Sequence, residues 1–279
     1  MSKVVVISGA TGQQGGSTAR ALAGKGFTIR ALTRKPDSEA AKALEAQGAA
    51  IVQVELDDEV SVRKALQGAW GAYAVQNTWT AGVGGEEAQG HRFAKAAKDA
   101  GIQHYVYASV ASADRKTGIP HFDNKSRVED TIRGLGFLSY AIIRPVFFME
   151  NLPSPWFLNG DKLVSTLDPK TTLQMIAVKD IGQYGARAFT EAAQFKNLEL
   201  DIAGDEVTLP EAAATLSRAL GRNLEYLQIP ISEVRKNSED MALMLEWFEG
   251  VGYDADIAGN AKQYGVKPTT LAEWASSLK

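Results

Sequence analysis

The sequence Val4-Val-Val-Ile-Ser-Gly9-Ala-Thr-Gly12-Gln-Gln-Gly15-Gly-Ser-Thr18 is an apolar run that stops at spaced glycines, with a helical pattern directly after them. This order predicts a strand, a tight turn and a helix whose N-terminus receives the pyrophosphate of a dinucleotide. Gly9 allows the tight turn, Gly12 the close backbone approach, and Gly15 close packing of helix on strand. An ordinary glycine-rich turn is the alternative. The predicted cofactor-binding residues of this loop are Gly9, Thr11, Gly12, Gln13, Gln14 and Gly15.

Composition narrows the classes of function. The chain has 279 residues, 45% of them hydrophobic, and a formal net charge of −3. The sequence pI of about 5.7 gives no global positive field for nucleic acid or an anionic membrane surface. The chain has no cysteine, and its histidines, His91, His104 and His121, lack the spacing of metal ligands. We therefore expect no metal site, no nucleic-acid partner and no membrane partner.

Localisation is predicted from the N-terminus and from the apolar stretches. Met1-Ser2-Lys3 leads directly into the first predicted strand, so we expect no signal peptide. The apolar stretch from Phe137 to Met149 is interrupted by Arg144-Pro145 and is too short to span a bilayer. The sequence therefore predicts a cytoplasmic protein.

Strand and helix patterns alternate through the first half of the chain. The predicted strands are Val4–Ser8, Thr28–Thr33, Ile51–Glu55, Ala72–Gln76, Tyr105–Ser109 and Ser139–Ile143. The predicted helices are Gln13–Gly24, Ser38–Gln47, Val60–Leu66, Glu86–Ala100 and Asp123–Gly134. Such alternation with apolar strands indicates an α/β fold, a doubly wound parallel sheet of the Rossmann type. Ligands of such sheets bind at the carboxyl ends of the strands.

The second half of the chain predicts a smaller domain. We expect residues 1–150 to form the Rossmann domain and residues 151–279 a C-terminal α+β cap domain, partly interleaved with the sheet. Its predicted elements are a helix over Leu209–Leu220, a strand over Leu224–Ile229 and a helix over Met241–Phe248. Met241, Met244, Leu245 and Phe248 fall at helical spacing, and this face contacts substrate, a partner or only core.

Charged residues after the second and third strands bear on cofactor choice. Arg34 and Lys35 stand where an NAD site normally has a carboxylate for the ribose 2′-hydroxyl. Arginine can bind a 2′-phosphate bidentately, so the pair predicts NADP(H), with solvated surface charges as the alternative. Asp57, after the third strand, either accepts from the adenine amino group or caps the next helix. Gln76 and Asn77, at the end of the fourth strand, belong to the same predicted site.

Five motifs resemble the NmrA-like family of atypical short-chain dehydrogenases/reductases. They are Gly9-Ala-Thr-Gly12-x-x-Gly15, His121-Phe-Asp-Asn-Lys125, Arg144-Pro-Val-Phe-Phe-Met-Glu-Asn151, Val178-Lys-Asp180-Ile-Gly182 and Trp247-Phe-x-x-Val-Gly-Tyr253. The resemblance extends over essentially the whole chain and ends with Thr270-Leu-x-x-Trp274. It implies an NADP(H)-binding Rossmann domain, and it implies that Pro145 to Phe148 lie against the nicotinamide. Phe148 and Asn151 would line the cleft.

The reductases that this chain resembles carry a Tyr-x-x-x-Lys pair, whereas this chain has His121-x-x-x-Lys125. Residues four apart share one helix face, and imidazole can donate a proton near neutral pH, so His121 and Lys125 are the predicted catalytic residues. Lys125 alternatively anchors only the nicotinamide ribose. Ser109 and Ser112 both lie near the place of the serine that assists the tyrosine, and the sequence does not choose between them.

Three functions fit these residues. The first is NADPH-dependent reduction of a planar conjugated small-molecule acceptor, such as a quinone, enone or imine, by hydride transfer. The second, implied by the resemblance to redox-sensor members, is NADP(H) binding without turnover that regulates a protein partner. The third is a scaffold with a vestigial site. The segment Thr78 to Glu87, with three glycines, is predicted to be a loop that acts as a lid or as the sensing segment. The oligomeric state stays open.

Aromatic and apolar residues offer a surface for a flat substrate, or else form plain core between the domains. These residues are Trp79, Phe147, Phe148, Met149, Trp156 and Phe157.

Overall fold

A computed structural model describes residues 2–278 of the chain, and the alternation of strands and helices predicted for the first half is present in it. The strands are β1 (Lys3–Ile7), β2 (Phe27–Thr33), β3 (Ala50–Gln53), β4 (Gly71–Ala74), β5 (His104–Ala108), β6 (Tyr140–Pro145), β7 (Phe147–Phe148), β8 (Leu158–Asn159), β9 (Lys162–Ser165), β10 (Thr172–Ile176), β11 (Leu198–Ile202), β12 (Asp205–Thr208) and β13 (Glu225–Gln228). The helices are α1 (Gln13–Leu22), α2 (Glu39–Ala46), α3 (Glu59–Leu66), α4 (Thr78–Asp99), α5 (Pro120–Gly134), α6 (Val178–Thr190), α7 (Leu209–Leu220), α8 (Ile231–Arg235), α9 (Glu239–Gly250), α10 (Ile257–Tyr264) and α11 (Leu271–Ser276).

The central sheet has seven parallel strands in the order β3-β2-β1-β4-β5-β6-β11. The chain runs outward from β1 to β3, returns to β4 beside β1, and then continues in the opposite direction. The strand order therefore reverses between β1 and β4, which makes this the point where a ligand crevice forms. The predicted Rossmann-type fold is confirmed.

The seventh strand comes from the second half of the chain. β11 pairs in parallel with β6, with Glu199 beside Ile142. Arg144 on β6 donates to Glu199 at 2.7 Å and to Glu129 on α5 at 2.6 Å, and it is only 4% exposed. A buried guanidinium requires such carboxylate partners, so these ion pairs tie β11 and α5 to the sheet.

Helix α6 also returns to the first half and packs against α1. The contact is close because small residues face each other across it. A Cβ atom on Gly182 would lie 2.6 Å from the backbone carbonyl carbon of Ser17, and one on Gly185 would lie 2.8 Å from a methyl group of Thr18. Glycine at both positions therefore lets the two helix backbones approach.

A second apolar core lies among the elements after β6. Two small sheets, β12-β10-β7 and β13-β9-β8, contribute to it together with α7 and α9. Ile119 and Phe122, at the start of α5, are buried in this core as well. The division of the chain at residue 150 stays a prediction. Among residues 2–278, no helix combines the length and the apolar character needed to cross a bilayer.

One predicted loop is a helix. The prediction of a loop over Thr78 to Glu87 is wrong, because α4 begins at Thr78. The side chain of Asn77 accepts from the N–H of Trp79 at 2.8 Å and caps the new first turn. One of the glycines still interrupts the regular helix, since Gly82 has φ +72° and kinks it. Helix α5 likewise begins earlier than predicted, at Pro120, whose ring suits the first helical position.

Candidate active site

A cavity of about 730 Å³ lies at the carboxyl ends of the central strands. It begins at the glycine-containing turn after β1, passes the ends of β2 to β6, and continues to α9 and the segment after β7. All of the predicted cofactor-binding and catalytic residues except Lys35 line it: Gly9, Thr11, Gly12, Gln13, Gln14, Gly15, Arg34, Asp57, Gln76, Asn77, His121, Lys125, Pro145 and Phe148.

The turn after β1 has a backbone geometry that requires glycine at Gly9 and Gly15. Gly9 has φ +58°, in the left-handed region that L side chains rarely adopt. A Cβ atom on Gly15 would lie 2.7 Å from the carbonyl oxygen of Ser8, so only glycine lets α1 pack this close to the strand end. Gly12 is the N-cap of α1 and has no side chain that could occupy the first N–H groups. An anion could approach these groups directly.

The cations after β2 are placed differently from each other. Both Arg34 and Lys35 are exposed, but only Arg34 lines the cavity. Asp57 also lines the cavity, where it accepts from Gln89 at 3.0 Å and from Arg92 at 3.2 Å. The alternative role of Asp57 as a helix cap is wrong, because Asp58 caps α3 by accepting from the N–H of Val60.

Several buried polar atoms at the cavity wall lack a hydrogen-bond partner among residues 2–278. They are both amide atoms of Gln76, Oε1 of Gln14 and the hydroxyl of Ser109. Buried polar atoms normally have partners, so an unpaired set at a cavity wall suits a ligand rich in hydroxyl and amide groups. Ser112 does not line the cavity, and its N–H donates to Asp201 at 2.8 Å. Of the two candidate serines, Ser109 is therefore the one beside the cavity.

Lys125 is paired with a carboxylate that the sequence did not single out. Its ammonium donates to Glu86 on α4 at 2.6 Å, and both residues are buried. Thr78 and Asn124 donate to the other carboxylate oxygen of Glu86. Burial alone would raise the pKa of Glu86, but the Lys125 ammonium and these hydrogen bonds outweigh it and hold the pKa below its ordinary value. The ammonium is thus held at the cavity wall by a charged partner.

His121 is fixed from three sides. Its ring Nδ1 is hydrogen-bonded to Oδ1 of Asp240 on α9, and its backbone N–H donates to Oδ2 of the same carboxylate at 3.2 Å. The ring lies 5.7 Å from the ring of Trp79 and 4.8 Å from that of Phe122, between ring centroids. Since His121 lines the cavity, this arrangement holds its imidazole at the wall in one orientation.

The far end of the cavity is apolar and largely aromatic. Trp79 and Trp156 stand at its walls and are 64% and 62% exposed, so neither is ordinary core. The other predicted aromatics, Phe147, Phe148 and Phe157, also line it, whereas Met149 is buried outside it. On α9, Met241, Met244 and Phe248 line the cavity and Leu245 packs in the core.

The sequence missed three residues of this site. The sequence places Glu86 at the start of a predicted helix and in the predicted Thr78–Glu87 loop, Tyr253 only in a family motif, and Asp240 in no predicted element or site. In the structure Glu86 and Tyr253 line the cavity, and Asp240 holds His121. Lys125 could have pointed to Glu86, since a lysine buried at the site needs a carboxylate partner. Asp240 lies 119 positions from His121, and nothing local in the sequence links the two.

Comparison with known proteins agrees with this fold. The NmrA-like family matches residues 1–275. The chain belongs to the NmrA-like family. Among its relatives in this family, the NmrA-like family domain-containing oxidoreductase himF of Aspergillus japonicus is 34% identical over 162 residues, which are 55% of this chain and 49% of that protein. The matched part therefore spans about half the length of that relative.

Two solved structures of similar fold carry different activities in their names. The NADPH-dependent quinone oxidoreductase QOR2 of Escherichia coli, complexed with NADPH, is 26% identical, covers 99% of each chain and has a TM-score of 0.80. The negative transcriptional regulator NmrA, in complex with NADP, is 23% identical, covers 99% of this chain and 95% of its own, and has a TM-score of 0.81. At 23% identity the second likeness concerns the fold alone.

Proposed function

We propose that this member of the NmrA-like family is an NADPH-dependent oxidoreductase that reduces a planar conjugated acceptor, a quinone, enone or imine. One observation carries the proposal. A single cavity joins the glycine-containing turn, the His121 and Lys125 pair and the aromatic walls at Trp79 and Trp156. A cofactor and a flat acceptor can therefore lie in contact within it. The relative named a quinone oxidoreductase supports the same class of acceptor.

The residues of the cavity fit a nicotinamide dinucleotide. The uncapped first turn of α1 suits the pyrophosphate, and Arg34 at the cavity wall suits a 2′-phosphate. The unpaired amide of Gln76 and the hydroxyl of Ser109 suit the polar groups of the nicotinamide half. Lys125 can donate to a ribose hydroxyl while it stays paired with Glu86, because an ammonium has three protons. Pro145 and Phe148 form the wall at the end of β6.

The chain's own residues supply positioning and a proton. NADPH supplies a hydride when it is bound. Trp79, Trp156 and Phe148 offer ring faces against which a flat acceptor can stack. His121 can give a proton to the acceptor's oxygen or nitrogen from the cavity wall. Delocalised acceptors need little further help, because the developing charge spreads over the conjugated system.

The test is NADPH oxidation by the purified protein with quinones, enones, imines and aldehydes, together with titration of NADPH fluorescence. We expect saturable turnover with the flat acceptors. Trp156→Ala removes one ring face and should raise KM for these acceptors about threefold to tenfold, the scale of an aromatic pair. Leu138→Ala is the matched control, since Leu138 is 68% exposed and lies away from the cavity, and it should leave KM unchanged.

The oxidation assay and the titration together also test the redox-sensor alternative. Tight NADP(H) binding without turnover of any acceptor would contradict the reductase. It would favour a redox sensor that regulates a protein partner, and the kink at Gly82 beside Trp79 would be the segment to examine for a change between the NADPH and NADP⁺ states. An equal rise of KM in Leu138→Ala and Trp156→Ala would remove the aromatic end from the proposal.

A further inference from the structure

We infer that Asp240 is a positioning residue that keeps the Nδ1 proton on His121, so that Nε2 is the ring nitrogen that exchanges a proton with the acceptor. This inference rests on the proposed function. It concerns a residue on α9, outside the family motifs and far from His121 in sequence.

Both oxygens of the Asp240 carboxylate accept hydrogen bonds from one residue, His121. Oδ1 accepts from the ring of His121 and Oδ2 from its backbone N–H. That N–H belongs to the first turn of α5, where such groups lack a partner within the helix. Asp240 therefore caps α5 from another element. The two side chains are 11% and 20% exposed, so solvent competes little for this contact.

The carboxylate decides which ring nitrogen carries the proton. An ionised carboxylate only accepts, so Nδ1 must be the donor, and in the neutral ring Nε2 is left without a proton. When the ring carries two protons, the one on Nδ1 is held by Asp240 and the one on Nε2 is free to leave. Trp79 and Phe122 pack against the ring, so it cannot turn over easily to exchange the two nitrogens.

The need for this proton depends on the acceptor. A quinone takes a hydride from NADPH and a proton from Nε2 of His121, giving a hydroquinone, NADP⁺ and a neutral imidazole that solvent reprotonates. A cationic N,N-dialkyl iminium, which has no N–H proton, takes the hydride alone and becomes a neutral tertiary amine. Damage to the proton donor therefore slows the first reaction and spares the second, whereas damage to the fold or to cofactor binding slows both.

The activity test compares Asp240→Asn with Glu239→Gln. Both variants remove one negative charge from the first turn of α9, but Glu239 contacts Arg235 rather than His121. Asparagine can present its N–H₂ group to Nδ1 and so shift the ring proton to Nε2. We expect kcat for a neutral quinone to fall about 100-fold in Asp240→Asn, with at least tenfold less loss for an N,N-dialkyl iminium. Glu239→Gln should change neither rate.

A second readout needs neither cofactor nor turnover. The chain has three histidines, so long-range ¹H–¹⁵N correlation spectra of the cofactor-free protein contain few ring signals, and loss of one set in His121→Gln identifies that ring. For neutral His121 we expect a protonated Nδ1 and an unprotonated Nε2. Asp240→Asn should exchange or mix these two signals, and Glu239→Gln should preserve them.

The outcomes separate the two proposals. A protonated Nε2 in neutral wild-type His121, or an unchanged ring in Asp240→Asn, refutes the role of Asp240 whatever the activity. Equal losses with quinone and iminium refute it as well, since they show a structural effect. Absence of wild-type turnover with every acceptor refutes the proposed function, and with it proton transfer from Nε2.

Discussion

Arg34 is the residue on which cofactor choice depends in the proposed site, because it is the cation after β2 that lines the cavity. Arg34→Ala should weaken NADPH binding by about 1–3 kcal/mol, the scale of a lost charged hydrogen bond, and should spare NADH. Titration of cofactor fluorescence measures both affinities. Equal weakening for NADPH and NADH would contradict the assignment of Arg34 to the 2′-phosphate.

Lys35 provides the matched control for Arg34. It has the same charge, is exposed, and directly follows Arg34, but it does not line the cavity. Lys35→Ala should therefore change NADPH affinity much less than Arg34→Ala. An equal effect of the two substitutions would mean that the general positive charge of this turn, rather than one placed guanidinium, selects the cofactor.

At the scale of elements, the contact between α1 and the end of β1 depends on Gly15. A Cβ atom there would meet backbone atoms of Ser8 and Gly9 at 2.7 Å, and backbone cannot move aside cheaply. Gly15→Ala should lower the free energy of unfolding by about 1–3 kcal/mol, the cost of overpacking, and should weaken cofactor binding. Urea unfolding and fluorescence titration measure the two effects.

Gly84 on α4 is the control for this substitution. Within 4 Å of a Cβ atom at Gly84 there is nothing, and the residue is exposed within a helix. Gly84→Ala should raise the free energy of unfolding by about 0.5–1 kcal/mol through the reduced entropy of the unfolded chain. A destabilising Gly84→Ala would show that the segment around the kink at Gly82 needs its flexibility in the folded state.

Elements with a strong local pattern were predictable from the sequence, and those that depend on distant partners were not. The strands and helices of the first half follow periodicity and cap residues. The glycines at the start of α4 favour a loop, but this segment is helical. Glu86 accepts hydrogen bonds from Thr78, Asn124 and Lys125, and these contacts stabilise the glycine-containing first turns as helix. The pairing of His121 with Asp240 escaped prediction for the same reason, since only the packing of α9 on α5 brings them together.

At the scale of the whole molecule, global stability should respond to pH through His104. Its ring is 1% exposed, stacks on Trp70 and meets Phe189 edge-on, and its Nδ1 is 2.8 Å from the hydroxyl of Ser139. Burial lowers the pKa of His104 to about 4 from an ordinary 6.5. The unfolded chain therefore takes up this proton first, and stability present above pH 6.5 is lost as the pH falls towards 4.

The measurement is the free energy of urea unfolding between pH 7 and pH 4 for the wild type and His104→Asn, a variant that keeps polar atoms but does not titrate. We expect the wild type to lose up to about 3 kcal/mol more than the variant over this range. The difference between the two proteins isolates His104 from Asp201, whose pKa burial raises to about 6 and which acts in the opposite sense. Parallel pH curves would refute this role of His104.

The return of β11 and α6 to the central sheet has a consequence for how the chain is made. Until Ile202 has left the ribosome, β6 has a free edge, Arg144 lacks Glu199, and α1 lacks the small-residue surface of α6. The glycine-containing turn after β1 precedes α6, the helix that packs on α1, by more than 150 residues. The nascent chain therefore has an unpaired strand edge at β6 until β11 has been synthesised.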